Sequence, residues 1–398
     1  MKFAHLADLH LGAYKELKMR ALSEKAFALA INKILEEKVD FVVISGDLFN
    51  TSLPSVDNLK DATLKLKLLK DNNIPIYIIA GSHDFSPSGK TMLDVLENAG
   101  LVTNVSKGEF VNEKLRLKIF EDIKTKVKLC GIIGKKGMLD SSYYEILDRE
   151  HLEQIQGFKI FLLHTALTEL KPSFLADMES YPISLLPKGF DYYAAGHVHV
   201  RDVKSFEGYK NIAYPGPLFP NNFREIEREL GGFYIYEDGN LRFVSLDVIH
   251  VSKNKFDCNH KNPEQIRFEI LNKFENIPLN DTLVLLRLYG TLESGKPSDI
   301  DFKSIYDSLY KKGAYFVLKN ISNLEFKQFD EVKTNSSSIE ELERNLIIEN
   351  IGQIKIPGNF NEIEMINQLM VMLMTERKEG EKKEDFERRI KEDVDGVF

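Results

Sequence analysis

For about its first 250 residues the chain alternates short apolar runs with amphipathic stretches. The runs at 40–45 (DFVVIS), 74–80 (IPIYIIA), 159–164 (KIFLLH) and 191–196 (DYYAAG) are brief, apolar and bounded by polar residues or glycine, which predicts buried strands. Ahead of the first of them, Met19, Leu22, Ala26, Phe27, Ala30, Ile31, Ile34 and Leu35 recur at helical spacing. The pattern predicts an α/β domain. After residue 252 it restarts, with a helix over 263–275, a strand over 282–290, a helix over 301–312 and a strand over 314–320, the signature of a second, smaller α/β module. Residues 331–338 (EVKTNSSS) read as a polar linker. Two amphipathic segments follow. Asn361 is placed to cap a helix whose Ile363, Ile366, Leu369, Met370 and Leu373 share a face, and Phe386, Ile390 and Val394 line a second helix. Met365, Met370, Met372 and Met374 read as a packing or docking face rather than a cofactor box.

Composition narrows the class. A chain of 398 residues, 43% hydrophobic and 29% charged, is too long for one ordinary core and predicts a soluble protein of two domains with appendages. It lacks the run of about 18 apolar residues that a membrane span needs. The N-terminus has no long apolar stretch, so no cleaved signal is expected. Two cysteines, Cys130 and Cys258, make no disulfide framework and fit reduced thiols in the cytoplasm. The net charge of -8 excludes a chain that is basic throughout, but not a basic groove for nucleic acid.

The nine histidines are unevenly placed: His10, His83, His164, His197 and His199 each lie at or just past a predicted strand end, whereas His5, His151, His250 and His260 lack such company and read as surface or core residues. In open α/β sheets ligands bind beyond the carboxyl ends of strands, so these loops should converge on one rim. Carboxylates join them, with Asp8 in ADLH and Asp47 in SGDLF. Extended D-x-H and H-x-H pairs would direct both side chains to one side, where each pair could grip an ion. A mixed Asp and His set without cysteine suits Mn²⁺, Fe²⁺ or Zn²⁺ and excludes a thiolate zinc site. Two ions roughly 3.5 to 4 Å apart, bridged by Asp47, would clamp a phosphoryl group and activate a water for in-line attack.

The ordered set DLH, GDLF, GSHD, LLHT and GHVH resembles the calcineurin-like metallophosphoesterases. That resemblance implies a four-layer αββα sandwich with two metal ions. One would be held by Asp8, His10, Asp47 and His199, the other by Asp47, residue 82, His164 and His197. GDLFNTSLPS, LVTNVSKG, GHVHVRD and YPGPLF narrow the likeness to the SbcD/Mre-eleven nucleases of the archaeal type. It implies a nuclease domain over 1–252, a capping DNA-binding domain over 253–325, a linker over 326–350 and a helical tail over 351–398. It further implies a Mn²⁺-dependent 3′-to-5′ double-strand exonuclease and single-strand endonuclease that processes double-strand breaks at the nucleoid. The protein would be a homodimer through helices near 55–71 and 91–99, with its tail docked on an SMC-like ATPase, Rad-fifty or SbcC.

His83 would act on the scissile phosphate or its leaving oxygen. Two positions depart from the family: Ser82 stands where an asparagine normally ligates the second ion, and Asn50 where some members place a histidine near the DNA. Lys15, Arg20 and Arg201, which flank the motifs, are the foremost candidates for DNA phosphate contacts alongside Asn50, with Lys18, Lys90, Lys135, Lys136 and Arg224 behind them. Two rival readings are a phosphodiesterase for a small phosphoester and a non-catalytic DNA-end scaffold in which Ser82 marks a decaying site.

Overall fold

The apolar runs pair into two six-stranded sheets. In this computed structural model, which describes residues 1–86, 91–135, 137, 139–326, 362–377, 381 and 383–395, the first sheet has the order β14 (Asn240–Ser245), β13 (Gly232–Glu237), β1 (Lys2–Leu6), β2 (Phe41–Ser45), β3 (Ile76–Ile79) and β4 (Thr103–Asn104). The second runs β11 (Asp202–Phe206), β12 (Tyr209–Tyr214), β10 (Tyr192–Gly196), β9 (Lys159–His164), β8 (Lys128–Gly131) and β7 (Phe120–Glu121). Strands β1 to β4 are parallel, and so are β8, β9, β10 and β12. Strands β2, β9 and β10 are buried on both faces, which is why they read as continuous apolar runs rather than alternating ones.

Alternate residues of the two sheets meet in a core of Phe3, Phe41, Val43, Ile79, Leu129, Ile160, Leu162, Tyr192 and Ala194. On the outer face of the first sheet lie the helices α1 (Leu17–Glu37), α2 (Val56–Asp71) and α3 (Met92–Asn98). The helical face foreseen in α1 is buried there at Met19, Leu22, Ala26, Phe27, Ala30, Ile31 and Ile34. The outer face of the second sheet is covered by the short helices α4 (Ser141–Glu145) and α5 (Arg149–Glu153) and the loops around them. The expected αββα sandwich is the architecture.

A third, all-parallel sheet is formed by β15 (His250–Asp257), β16 (Thr282–Leu292) and β17 (Ala314–Phe326), with α7 (Pro263–Lys273) and α8 (Phe302–Lys311) as its crossovers. Strand periodicity divides β16. Val284, Leu286 and Leu288 pack with the crossover helices, while Leu283 and Leu285 join the core that surrounds α1. Lys18, at the start of α1, donates to the Tyr315 carbonyl at 2.9 Å and lies against the Tyr310 and Tyr315 rings. The third sheet is thereby tied to the sandwich by apolar packing and by a lysine that the sequence suggested for DNA.

The chain's second unit, Lys327–Phe398, contains two helices among its described residues, Glu362–Leu373 and Lys383–Asp395. In it Met365 is buried, while Val371 and Met374 are exposed. Asn361, the linker beyond Phe326, Lys90 and Lys136 lie outside the described residues. Among the described residues no helix is long and apolar enough to cross a membrane.

Candidate metal centre

Strands β1, β2, β3, β9 and β10 end at one rim, and the loops that leave them carry the chemistry. Bridges between Leu11 and Phe49 and between Ala7 and Pro217 stitch those loops together. The extended pairs expected at D-x-H and H-x-H are not what gathers the side chains. Asp8 has φ 53°, His10 φ 44°, Asp47 φ 53° and His197 φ 89°, so four of the expected ligands sit in left-handed backbone. Such conformations cost of order 1–3 kcal/mol each outside glycine and persist only where the surroundings over-determine them. Here the loops do so through backbone bonds from Asp8 N to Gly46 O at 3.2 Å and from His10 N to Asp47 O at 2.9 Å. Gly81 is required by close approach, because a Cβ there would collide with the Asp47 carboxylate.

Asp47 lies at the centre. Its Oδ1 accepts from the His83 backbone N–H at 2.7 Å, and its Oδ2 lies 3.1 Å from His164 Nε2 and 3.6 Å from His10 Nε2. The Asp8 carboxylate accepts from the His197 N–H at 3.0 and 3.2 Å, with His199 Nε2 at 3.9 Å and His164 Nδ1 at 4.0 Å. His10 and His199 face each other, Nε2 to Nε2, at 3.0 Å. His164 donates Nδ1–H to the Ser45 carbonyl at 2.7 Å and His83 donates Nδ1–H to the Asn50 carbonyl at 2.8 Å, which leaves Nε2 of each ring for the site. Ser82 is buried and, with His83, His164 and His197, lines a cavity of about 240 Å³ that also meets Lys135 and Asp140. All seven expected ligand positions and His83 therefore lie at this rim.

The electrostatics are those of a cation site. Burial would raise the Asp47 carboxyl, but the charge of the neighbouring His164, above all, and the His83 N–H hold it well below the usual carboxylate range. Burial raises Asp8 and pushes His10 down to about 3 and His197 down to about 4. For His164, burial opposes charge, yet Asp47 and Asp8 raise it to about 10. Nε2 of His164 lies close to Asp47 but outside hydrogen-bonding geometry. It and Nδ1 of His10 are buried nitrogens without a hydrogen-bond partner. Three groups have donor atoms within 4.8 Å of one another: Asp8, His10 and His199; His10, Asp47 and His83; and Asp8, Asp47 and His164. Donors about 2.1 Å from an ion and at right angles stand about 3 Å apart, the spacing of the His10 and His199 nitrogens. Orphaned imidazoles, a depressed central carboxylate and this spacing fit divalent ions.

Two residues passed over in the sequence support the site. Asp84 is buried and accepts from the N–H groups of Leu48, Phe49 and Gly81 at 3.1, 3.0 and 3.1 Å, fixing the two loops against each other. Burial, then the nearby Asp47, pushes it up to about 7. Its signal was its place beside His83 in GSHD. Glu225 accepts from His199 Nδ1 at 3.0 Å, a partner 26 residues away that no local spacing announces. Such partners fix the tautomer and orientation of a ligating ring.

The basic candidates are dispersed. Arg201 is paired with Glu229 at 3.2 Å and stacked on Phe243, and Arg20 donates to the Tyr14 carbonyl at 3.2 Å. Lys15 and Arg224 are exposed, and Asn50 holds His83 through its carbonyl rather than offering a side chain to it.

The sequence profile of the Calcineurin-like phosphoesterase family matches residues 1–201. A DNA double-strand break repair protein Mre11 of Archaeoglobus fulgidus is 34% identical over 237 residues, 57% of this chain and 52% of that one. Proteins of the same name from Methanocaldococcus jannaschii and Methanococcus maripaludis are 32% identical over 279 residues and 26% identical over 360. The matches cover 65% and 86% of this chain and 67% and 89% of theirs. Against the Archaeoglobus protein the match thus spans about half the relative's length. On the profile match and the likeness to these relatives, the chain belongs to the calcineurin-like phosphoesterase family, on the branch of the archaeal Mre11 proteins.

Proposed function

We propose that the protein is a metal-dependent DNA nuclease that trims ends at double-strand breaks by hydrolysing phosphodiesters, with 3′-to-5′ action on duplexes and endonuclease action on single strands. The observation that carries this reading is the convergence of Asp8, His10, Asp47, His164, His197 and His199 around orphaned imidazole nitrogens, with His83 beside them. Asp8, His10, Asp47 and His199 would hold one Mn²⁺, and Asp47, Ser82, His164 and His197 a second. Bound there, the ions polarise phosphate oxygens and lower the pKa of water.

The chain's own groups do the rest. Asp47 fixes the His83 backbone, and the Asn50 carbonyl fixes the His83 ring, so Nε2 is held toward the scissile phosphate to stabilise charge or pass a proton to the leaving oxygen. Burial of Asp8 and Asp47 keeps bulk water from screening that charge. The phosphate tracks of DNA would meet Lys15, Arg20 and Arg201, with Asn50 at the mouth.

Partnerships are part of the proposal. Val56, Leu64 and Leu68 on α2 and Val95 on α3 are large apolar side chains exposed on neighbouring helices, which suits a homodimer face. Val371 of the first tail helix and Met374 just past its end suit docking on a Rad-fifty-like or SbcC-like ATPase at the nucleoid. The test is a Mn²⁺-dependent digest of linear duplex labelled at its 3′ end, run beside a small chromogenic diester with wild type and Asp47→Ala. Label release by wild type alone supports the nuclease. Turnover of the diester without the duplex would replace it with a small-molecule phosphodiesterase, and cleavage of neither would leave a scaffold.

A further inference from the structure

The third sheet reaches the histidine cluster through one short helix, α6 (Phe223–Arg228), which starts on the Asn222 side chain as its cap. On one side of this helix the Glu225 carboxylate receives His199 Nδ1–H at 3.0 Å, and Arg228 Nη1 donates to the His199 carbonyl at 3.2 Å. On the other, Glu227 accepts two hydrogen bonds from Arg287 of β16, through Nε and Nη2, both at 2.7 Å. The Arg287 guanidinium also lies 5.2 Å from the Phe223 ring centroid, and Lys253 of β15 donates to the Arg228 carbonyl at 3.2 Å. Two residues apart on a helix, Glu225 and Glu227 point roughly 200° from each other. One therefore faces the centre while the other faces the third sheet. A helix of six residues has little independent stability, so its orientation is set by what grips it. The grip on the Glu227 side is a forked, doubly hydrogen-bonded pair whose side chains are only 14% and 20% exposed, which fixes direction as well as distance.

We infer that Arg287, through Glu227 and helix α6, is a positioning residue for His199, so that the placement of the third sheet sets how well one ion site is formed. This rests on the reading of His199 as a metal ligand. A second consequence concerns selectivity: a load on the third sheet, such as bound DNA, would be felt by His199, while His164, held by Ser45 in the sandwich core, would not feel it.

The experiment is a calorimetric Mn²⁺ titration of the full chain with no substrate present. Glu225→Gln is expected to weaken one of the two ions by about 10- to 100-fold, the usual effect of losing an outer partner of a ligand. Arg287→Met should weaken that same ion several-fold while the other stays at the wild-type value. Combining Arg287→Glu with Glu227→Arg should recover affinity relative to Arg287→Glu alone. A wild-type isotherm for Arg287→Met would overturn the inference. So would equal weakening of both ions, which would mark a merely structural pair. Asp47→Ala separates the two levels: if it binds both ions normally, the metal reading itself fails, whatever Arg287 does.

Discussion

His199 has both ring nitrogens engaged, Nδ1 by Glu225 and Nε2 facing His10, each at 3.0 Å. The ring of His197 and the hydroxyl of Ser82, by contrast, have no hydrogen-bond partner among the described residues, and they border a cavity of about 240 Å³. The His199 ring on the side formed by Asp8, His10 and His199 is thus braced by neighbouring side chains, whereas the side chains of Ser82 and His197 are not. On that second side His164 is fixed through the Ser45 carbonyl, as Asp47 is through the His83 backbone N–H. On the proposed two-ion reading, the hydroxyl at 82 would be a short, neutral ligand, and the second ion would keep more exchangeable water. On that reading the contrast predicts one tightly held ion and one that exchanges readily.

Asp47 belongs to both sides, and its loss is the most damaging change: Asp47→Ala should cost on the order of 10⁴-fold in nuclease rate, as when one member of a cooperating catalytic set is removed. Retention of more than a tenth of the activity would show that the two sides work independently. Next comes His83→Gln, which should lower the single-turnover rate by roughly 10² to 10⁴-fold with both ions still bound. Full activity in that variant would remove His83 from the chemistry. Ser82→Asn should tighten the weaker ion about tenfold, at the low end of the range for changes around a metal ligand, and leave the tighter one alone. A titration in which neither ion moves would mean that the two sides are already equal.

The smallest effect concerns the support behind His164. His5 is fully buried between the sheets, with Nε2 2.9 Å from the Ser45 hydroxyl and Nδ1 3.0 Å from the Tyr192 hydroxyl. Burial pushes its pKa down to about 3. The unfolded chain, at an ordinary value of about 6.5, binds a proton that the folded chain refuses. This contribution to stability is therefore complete above about 6.5 and declines toward pH 3, at up to about 1.4 kcal/mol per pH unit. Thermal melts of wild type and His5→Gln at pH 7 and pH 5 check it: the wild type should lose more stability between the two.

Much of this was legible in the sequence. The buried strands announced themselves as apolar runs because both of their faces are covered, and the residue types Asp and His at strand ends carried the chemistry. What could not be read has physical reasons. The first sheet is extended beyond β1 by β13, whose Glu237 pairs with Lys2 across most of the sandwich domain, and by β14 at the edge, and strand partners so distant leave no local mark. The D-x-H pattern pointed to residues that do meet at the rim, but not by the alternation expected, since the backbone there turns left-handed. His5, read as an ordinary core or surface residue, supports Ser45, and Lys18, suggested for DNA, holds the third sheet. Glu225 was invisible because its partner lies in another loop.

For anyone transplanting this centre into a new scaffold, the left-handed turns at Asp8, His10, Asp47 and His197 decide what must be copied. Grafting six side chains onto regular strands would reproduce the inventory and miss the aim of four of them. The portable unit is the set of bent loops with their carbonyl anchors and Gly81, and an engineer who keeps those is free to vary much of the apolar sandwich beneath.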